Sequence, residues 1–343
     1  MTTRALSRPA ALLRRARLRA PLRNAARAPA SLTEEESAKR RRAHSASQAT
    51  RVLVTGATKG LGYALAGALV ASGDAVAVNS RDASRAADAA AALSHTSGGF
   101  CVSAPGDVSS PPDVARIFDE AEAQLGGALE VVVLNAGSNG YCYENLEDCS
   151  PEMITNVVGT NLTGVLLCCR EALRRRVRHI FLVEGAGSDG QPTRLFATYG
   201  ASKAGIRQLA ASLNAEQAAR EAERRAARGA GNSNGHSNGN GGGGGSGGHA
   251  VTTRVHTISP GLVQTELVAS GRNAFGSTGR FFVNVLSEDA AVVAEEVVPK
   301  IRGVVASNGT GGARIEVLTP LVASRKLLSR FVLGTNKNRW YEE

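Results

Sequence analysis

An α/β fold with one doubly wound parallel sheet is predicted by three observations. Short β-branched apolar runs alternate with longer helical patterns along most of the chain. These runs are apolar almost throughout instead of alternating, so helices cover both faces of the sheet. A glycine-rich turn joins the first run to the first helix. The 343 residues could make one large domain or two small ones. The unbroken strand–helix rhythm favours one domain of three layers, αβα, around seven parallel strands.

The elements follow in order. RVLVTG, from Arg51, is a buried first strand. YALAGALVASG is a helix with Gly73 as its C-terminal stop. DAVAVNSR is the second strand, ASRAADAAAALSHT an alanine-rich helix, and FCVSAPGDV the third strand and its loop. VARIFDEAEAQLGG is helical, and LEVVVLNAG is the fourth strand. ITNVVGTNLTGVLLCCREALRR reads as one long helix and HIFLVEGAG as the fifth strand. YGASKAGIRQLAASLNAEQAAREAERRA is a second long helix. VHTISPG is the sixth strand and ARIEVLTP a short seventh.

The ends and one internal tract depart from this rhythm. Residues 1–30 hold eight arginines and no acid among many Ala, Ser and Leu. With the polar linker that follows, residues 1–45 read as an organellar transit peptide. A basic tail or nucleic-acid arm is the competing reading. No aromatic interleaving, helix-turn-helix or zinc-finger spacing supports nucleic acid as a partner. The folded unit is expected over 51–320, with a disordered surface insert at 229–249, where glycine and asparagine dominate and apolar side chains cannot offset the ordering entropy. His236 and His249 in that insert read as solvated filler. Residues 321–343 form an extension in which VASRKLLSRFVLG mixes basic and apolar residues at near-helical spacing. It reads either as a membrane-surface helix or as a helix docked on the domain or an interface. No continuous apolar run reaches the roughly 18 residues that span a bilayer. The five cysteines (101, 142, 149, 168, 169) have no CxxC spacing, so no metal site or disulfide framework is expected.

TGATKGLG, Thr55 to Gly62, opens directly after a strand and leads into a helix, the context that gives a glycine-rich motif meaning. Gly56 permits the tight turn. Gly60 and Gly62 allow close backbone approach, and Thr58, Lys59 and Leu61 complete the cradle. N–H groups at the helix start can then face a pyrophosphate. The sheet is therefore expected to be of the Rossmann type. The spacing is GxxxGxG, and by itself it could be a turn without a ligand. After the second strand come Asn79, Ser80, Arg81 and Asp82. Arg81 and Lys59 as two cations beside one 2′-phosphate favour NADPH over NADH. The alternatives are that Asp82 takes the ribose and that Arg81 is simply solvated.

YGASK places Tyr199 and Lys203 at i and i+4, on one helix face. A nearby ammonium is expected to lower the phenol pKa and make Tyr199 a usable general acid toward a carbonyl oxygen. The competing reading is a Tyr and a Lys on a surface helix.

In combination these motifs resemble the short-chain dehydrogenase/reductase family, over about residues 51–320. The glycine loop, Asn135-Ala136-Gly137, a mid-helix Asn161, Tyr199 with Lys203, and Pro260-Gly261 followed by Thr265 occur in the family's order. Asp107-Val108 resembles the pair that contacts adenine. The resemblance implies that Asn135 to Gly137 steady the sheet beside the cofactor. It implies that Asn161 holds a water relaying protons to Lys203, and that Pro260 to Thr265 wrap the nicotinamide. The family's serine segment is altered: VEGAGS puts Glu184 where the catalytic serine is expected, and Ser188 follows four residues later as a weaker candidate. Glu184 is left as a metal or substrate contact or as a loop acid.

The stretches NAGSNGYCYENLEDCSPEMITNVVGTNLTG and VEGAGSDGQPTRLFATYGASK, with the terminal Arg339 to Glu342, are similar to chlorophyll(ide) b reductases of plants and green algae. That similarity implies NADPH-dependent reduction of the 7-formyl group of chlorophyll b or chlorophyllide b to 7-hydroxymethyl, in chlorophyll b degradation. It also implies a chloroplast location peripheral to the thylakoid, a homo-oligomer or a complex with a related reductase subunit, and contact with light-harvesting complex. Phe275, Phe281, Phe282 and Val283 in the segment Leu267 to Asn284 could form an apolar flap over a macrocycle or an ordinary helical packing segment. Competing functions are another plastid carbonyl reductase, acting on a 3-ketoacyl thioester or a quinone, and a non-catalytic scaffold for a sister reductase.

Overall fold

The computed structural model describes residues 49–141, 143–231, 252–269, 276–307 and 311–342. The basic N-terminal segment, Cys142, Phe275 and nearly all of the glycine-rich tract lie outside the described residues.

Seven strands form one parallel sheet: β1 (Arg51–Val54), β2 (Ala75–Val78), β3 (Cys101–Ser103), β4 (Val131–Leu134), β5 (His179–Val183), β6 (Arg254–Ser259) and β9 (Arg314–Glu316). Their order is β3-β2-β1-β4-β5-β6-β9, with every neighbouring pair parallel. The chain reverses its direction of travel across the sheet between β1 and β4. The crevice beyond the carboxyl ends of these strands is where such sheets bind ligands.

Side chains alternate across each strand and so divide the core in two. Val52, Val54, Val76, Val131 and Val133 face helices α1 (Gly60–Ala71), α2 (Ala83–Ser97) and α9 (Ala290–Ala306) through Leu65, Leu69, Leu93, Val297 and Ile301. Leu53, Ala77, Val132, Leu134 and Ile180 face α3 (Pro111–Leu125), α5 (Gly164–Arg174) and α6 (Ala197–Gly231) through Ile117, Phe118, Cys168, Cys169 and Ile206. The predicted three-layer architecture is the observed one.

The single long helix expected before β5 is three pieces: α4 (Pro151–Val158), a π-turn (Gly159–Thr163) and α5. The wide turn accommodates Asn161, which is completely buried. Its amide bonds Ser138 and Ser202 outside the helix, and such π-turns commonly mark functional positions. The joined run Pro151–Arg174 is long and apolar enough to cross a membrane by length and composition, although no continuous apolar stretch in it is that long. Val157, Val165, Cys168, Cys169 and Ala172 on its inner face pack in the core. Helix α6 runs to Gly231 and so enters the start of the predicted insert.

The region after β6 holds a two-stranded pair, β7 (Val263–Gln264) with β8 (Glu288–Asp289), and helices α7 (Glu266–Ala269) and α8 (Ser277–Leu286). The C-terminal tail locks this region down. Asn284, on the expected flap, is fully buried. Its side chain accepts from the N–H groups of Trp340 and Tyr341 at 2.8 and 3.0 Å and donates to the Tyr341 carbonyl at 2.8 Å. Arg339 pairs with Glu288 at 2.9 Å. The extension therefore includes a docked segment as well as helix α10 (Pro320–Leu333), capped by Thr319.

Candidate active site

A cleft of about 1020 Å³ opens at the carboxyl ends of β1, β2, β4, β5 and β6. Its floor is the glycine loop. Gly56 and Gly60 have φ of 62° and 57°, the left-handed region that glycine occupies without strain. A side chain at Gly62 would place Cβ 2.3 Å from Asn135 Nδ2 and 2.4 Å from the Gly56 carbonyl. Asn135 holds the loop in return, its amide donating to the carbonyls of Thr55 and Gly56 at 3.1 and 3.0 Å. The buried Thr55 hydroxyl accepts from the N–H groups of Asn135 and Ala136, both at 3.1 Å. Helix α1 starts at the cleft with no side-chain cap at Lys59 and no acid in its first turn. Its first N–H groups are thus available to an anion. A bare-backbone cradle beside an uncapped helix start fits a dinucleotide pyrophosphate.

At the far end of the cleft, the buried amide of Asn79 donates to the carbonyls of Ala104 and Gly106 at 2.9 and 3.0 Å. Arg81 lines the cleft 4.0 Å from Asp107. Asp82 is committed elsewhere: it caps α2 through the Arg85 N–H at 3.1 Å and pairs with the Arg85 guanidinium at 3.2 Å. Arg85 also lines the cleft. Asp107 stands behind the lining and accepts from Ser109 N–H and hydroxyl at 2.8 and 2.7 Å, while Val108 lines it. The expected pairing of Lys59 with Arg81 is not what forms. Lys59 pairs with Glu266 and donates to the Tyr141 hydroxyl at 3.0 Å, so its charge is answered across the cleft mouth. The second cation near Arg81 is Arg85.

Tyr199 and Lys203 reach the other end of the cleft from the first turns of α6. Burial first, and then Tyr143, push the phenol up to about 12. The lowering expected from Lys203 does not dominate. The Lys203 ammonium lies 5.9 Å from the ring centre and donates to the Val183 carbonyl at 3.0 Å. Burial draws Lys203 down to about 8, and Glu184 opposes that fall. At neutral pH Tyr199 therefore carries its proton, as a donor to a developing oxyanion must.

Asn161 stands behind Gly137. Its oxygen accepts from Ser138 N–H at 2.7 Å, and its nitrogen donates to the Ser138 carbonyl at 2.7 Å and the Ser202 hydroxyl at 3.0 Å. That side chain is spent on bracing the Gly137–Ser138 backbone. Ser188 does not line the cleft. Its hydroxyl accepts from Gly185 N–H at 3.0 Å and donates to the Lys203 carbonyl at 3.1 Å, so it ties the loop to α6. Glu184 holds no metal geometry, since no cluster of three His, Cys, Asp or Glu occurs among the described residues. Burial would raise its pKa, but the bonds from Arg314, Arg207 and Thr257 prevail and hold the carboxyl below its usual range.

Pro260, Gly261 and Thr265 line the third side. Gly261 has φ of 74°, and Thr265 abuts Gly60. Aromatic rings cover the Tyr199 end of the cleft. Tyr143 stacks on Phe196 at 4.6 Å and 8°, and Phe196 on Tyr199 at 4.6 Å and 26°. Gly185 leaves room for the phenol, because a Cβ there would lie 2.3 Å from the Tyr199 oxygen.

Thr55, Arg85, Tyr143, Gly185 and Phe196 are site residues absent from the sequence candidates. Arg85 could have been found one helical turn beyond Arg81. Gly185 and Phe196 depend on long-range approach and leave no local signal.

The profile of the family described as short chain dehydrogenase matches residues 50–223. The chain is 37% identical over 297 residues to the chloroplastic chlorophyll(ide) b reductase NOL of Arabidopsis thaliana, covering 85% of this chain and 76% of that one. It is 35% identical over 303 residues to the NOL protein of Oryza sativa subsp. japonica, covering 85% and 78%. A solved actinorhodin polyketide ketoreductase shares the fold, with a TM-score of 0.60 at 23% identity over 80% of this chain and 97% of that one. So does a gluconate 5-dehydrogenase from Burkholderia cenocepacia, with a TM-score of 0.60 at 20% identity over 80% and 95%. The cradle, the Tyr199–Lys203 helix and these similarities converge: the chain belongs to the short-chain dehydrogenase/reductase family and is related at moderate identity to its chlorophyll(ide) b reductases.

Proposed function

We infer that this protein is an NADPH-dependent chlorophyll(ide) b reductase, converting the 7-formyl group to 7-hydroxymethyl in chlorophyll b degradation. The observation that carries the reading is the similarity to chlorophyll(ide) b reductases along 85% of the chain. The cleft supports it: one end cradles a dinucleotide, and the other is walled by Tyr143, Phe196 and Tyr199, flat surfaces suited to a planar aromatic substrate.

The glycine loop and the α1 N-terminus would hold the pyrophosphate. Arg81 and Arg85 favour a 2′-phosphate and thus NADPH. When bound, this cofactor supplies the hydride to the formyl carbon. Tyr199 gives its phenolic proton to the aldehyde oxygen, which becomes the alcohol O–H. Lys203, beside it, keeps the site electropositive as charge develops. Asn161 holds the Gly137–Ser138 backbone against Lys203, and any proton relay through it belongs to this proposal.

A chloroplast location is proposed from the plastid relatives and from the arginine-rich composition of residues 1–45, read as a transit peptide. Peripheral attachment to the thylakoid is supported by α10. Its Leu321, Leu328, Phe331, Val332 and Leu333 are 64–79% exposed. The helix carries no acid; Lys326 turns inward to Glu288 and Arg330 lies over Phe281, so the apolar side chains with Arg325 make the face suited to an anionic lipid surface.

The test supplies purified protein with NADPH and chlorophyll b or chlorophyllide b, read by absorbance and chromatography. Accumulation of the 7-hydroxymethyl pigment is expected. Absence of pigment turnover, with or without a sister reductase, beside activity on a 3-ketoacyl thioester or a quinone would leave only the general family activity.

A further inference from the structure

The reaction outlined above makes no use of Glu184. This residue follows Val183 at the end of β5 and is 4% exposed. Arg207 Nε and Nη2 donate to its Oε2 at 3.1 and 2.8 Å. Arg314 Nε donates to Oε1 at 3.1 Å and Nη2 to Oε2 at 3.2 Å. Tyr199, Lys203 and Arg207 recur every four residues on α6 and form one stripe. Along that stripe Lys203 bonds the Val183 carbonyl, and one turn later Arg207 grips Glu184. Val183, the last residue of β5, and Glu184 after it thus fasten two consecutive turns of α6, and Arg314 adds a hold from β9.

A buried carboxylate between guanidiniums rarely stabilises a fold more than apolar packing of the same volume would. Its position beside the catalytic stripe points to chemistry. Lys203 is enclosed by the Val183 carbonyl, the Tyr199 ring and the Gly137–Asn161 contact. The charged group that acts on it is Glu184, directly after β5. Around Glu184 stand Arg207 from α6 and Arg314 with its partner Glu316 from β9. These four balance: two carboxylates against two guanidiniums.

We propose that Glu184 is a positioning residue for the Tyr199–Lys203 pair, its arginine-clamped carboxylate locking the end of β5 against α6 and keeping Lys203 an ammonium. The inference rests on the reading of Tyr199 and Lys203 as the proton-donating pair. Removing the Glu184 charge leaves a cationic surplus that favours the free amine. Removing Arg314 leaves an anionic surplus with the opposite effect. A purely structural anchor predicts no such reversal of sign.

The test is competitive acetylation of the full chain with acetic anhydride across pH, with Lys203 labelling read by mass spectrometry. Glu184→Gln should lower the labelling midpoint by about one pH unit, and the alkaline limb of turnover should fall with it. Glu184→Asp should restore the midpoint. Arg314→Gln, a second variant should Glu184→Gln fail to fold, should raise it. Midpoints that stay put, or that move the same way in Glu184→Gln and Arg314→Gln, overturn the proposal. Turnover of Tyr199→Phe, measured in parallel, separates the two levels. Its loss beside an unmoved Lys203 midpoint sinks the Glu184 proposal alone. Its retention sinks the reading of the pair on which the proposal rests.

Discussion

The wall formed by residues 55–62 and 135–137 keeps its shape through backbone. Gly56 and Gly62 sit where a Cβ would collide, and the bonds run between the Thr55 and Asn135 segments, 79–81 positions apart, each ending on a main-chain atom. The wall formed by residues 183–203 keeps its shape through contacts between side chains, several of them brought in from other elements: Arg207 and Arg314 on Glu184 and Tyr143 on Phe196, with Phe196 in turn on Tyr199. The first wall can hold a cofactor common to many chemistries. The second can be altered piecewise, and it is the wall that a substrate would meet.

The sharpest way to break this division is Tyr199→Phe. Turnover should fall by at least about 100-fold, because the transferred proton is gone. Cofactor affinity, measured by fluorescence titration, should stay level, since the glycine wall is untouched. Loss of both together would show that the walls are not separable.

Gly62→Ala attacks the other wall. The new methyl would meet Asn135 and the Gly56 carbonyl, and overpacking of this kind costs about 1–3 kcal/mol. NADPH affinity should weaken by about 30-fold, at about 1.4 kcal/mol per tenfold, as calorimetry would report. An unchanged affinity would mean that the loop is looser than its contacts imply.

A smaller effect is expected at the outer end of the cleft. Arg81→Gln with Arg85→Gln should raise the NADPH Kd by about tenfold, because each cation is exposed and partly engaged by an acid. NADH binding should change little. Lys59→Gln should discriminate less than the arginine pair, because Lys59 already faces Glu266. Equal shifts for both cofactors would remove the arginines from selectivity.

The mildest prediction concerns the opposite end of β5. His256 Nδ1 accepts from Ala313 N–H at 2.9 Å, so its Nε2 carries the proton and donates to His179 Nδ1 at 3.1 Å. Burial, with neighbouring cations, holds His179 down to about 4 and His256 to about 3, against 6.5 ordinarily. The unfolded chain therefore binds more protons below pH 6.5. Stability from this pair is whole above that pH and declines as pH falls through about 4 and about 3. The urea midpoint should drop between about pH 7.5 and about pH 5, with a shallower drop in His179→Leu/His256→Leu. Equal slopes would place acid sensitivity at the cleft instead.

Much of the fold was legible because its signals are local. Each of the seven strands is a short apolar run between turn signals, and each coincides with an observed strand. The π-turn was not legible: the weak helix formers of GTNLTG lie inside a longer helical apolar pattern, and the wide turn accompanies bonds from Asn161 to Ser138 and Ser202. The same limit applies to Ser188 and Asp82, whose side chains looked available and are consumed by Gly185 with Lys203 and by Arg85.

By itself the sequence determined the layered parallel sheet, the place of the glycine cradle and the common face of Tyr199 and Lys203. Strand periodicity, turn geometry and the 3.6-residue helix act over a few residues, so they are written in consecutive letters. Only the tertiary structure decided which charges are already answered. Lys59 meets Glu266 across 207 positions, and Glu184 meets Arg314 across 130. It also set the state of Tyr199 and Lys203, because burial is a property of the assembled molecule. The phenol of Tyr199 is driven up and the ammonium of Lys203 down by the layers that close over them.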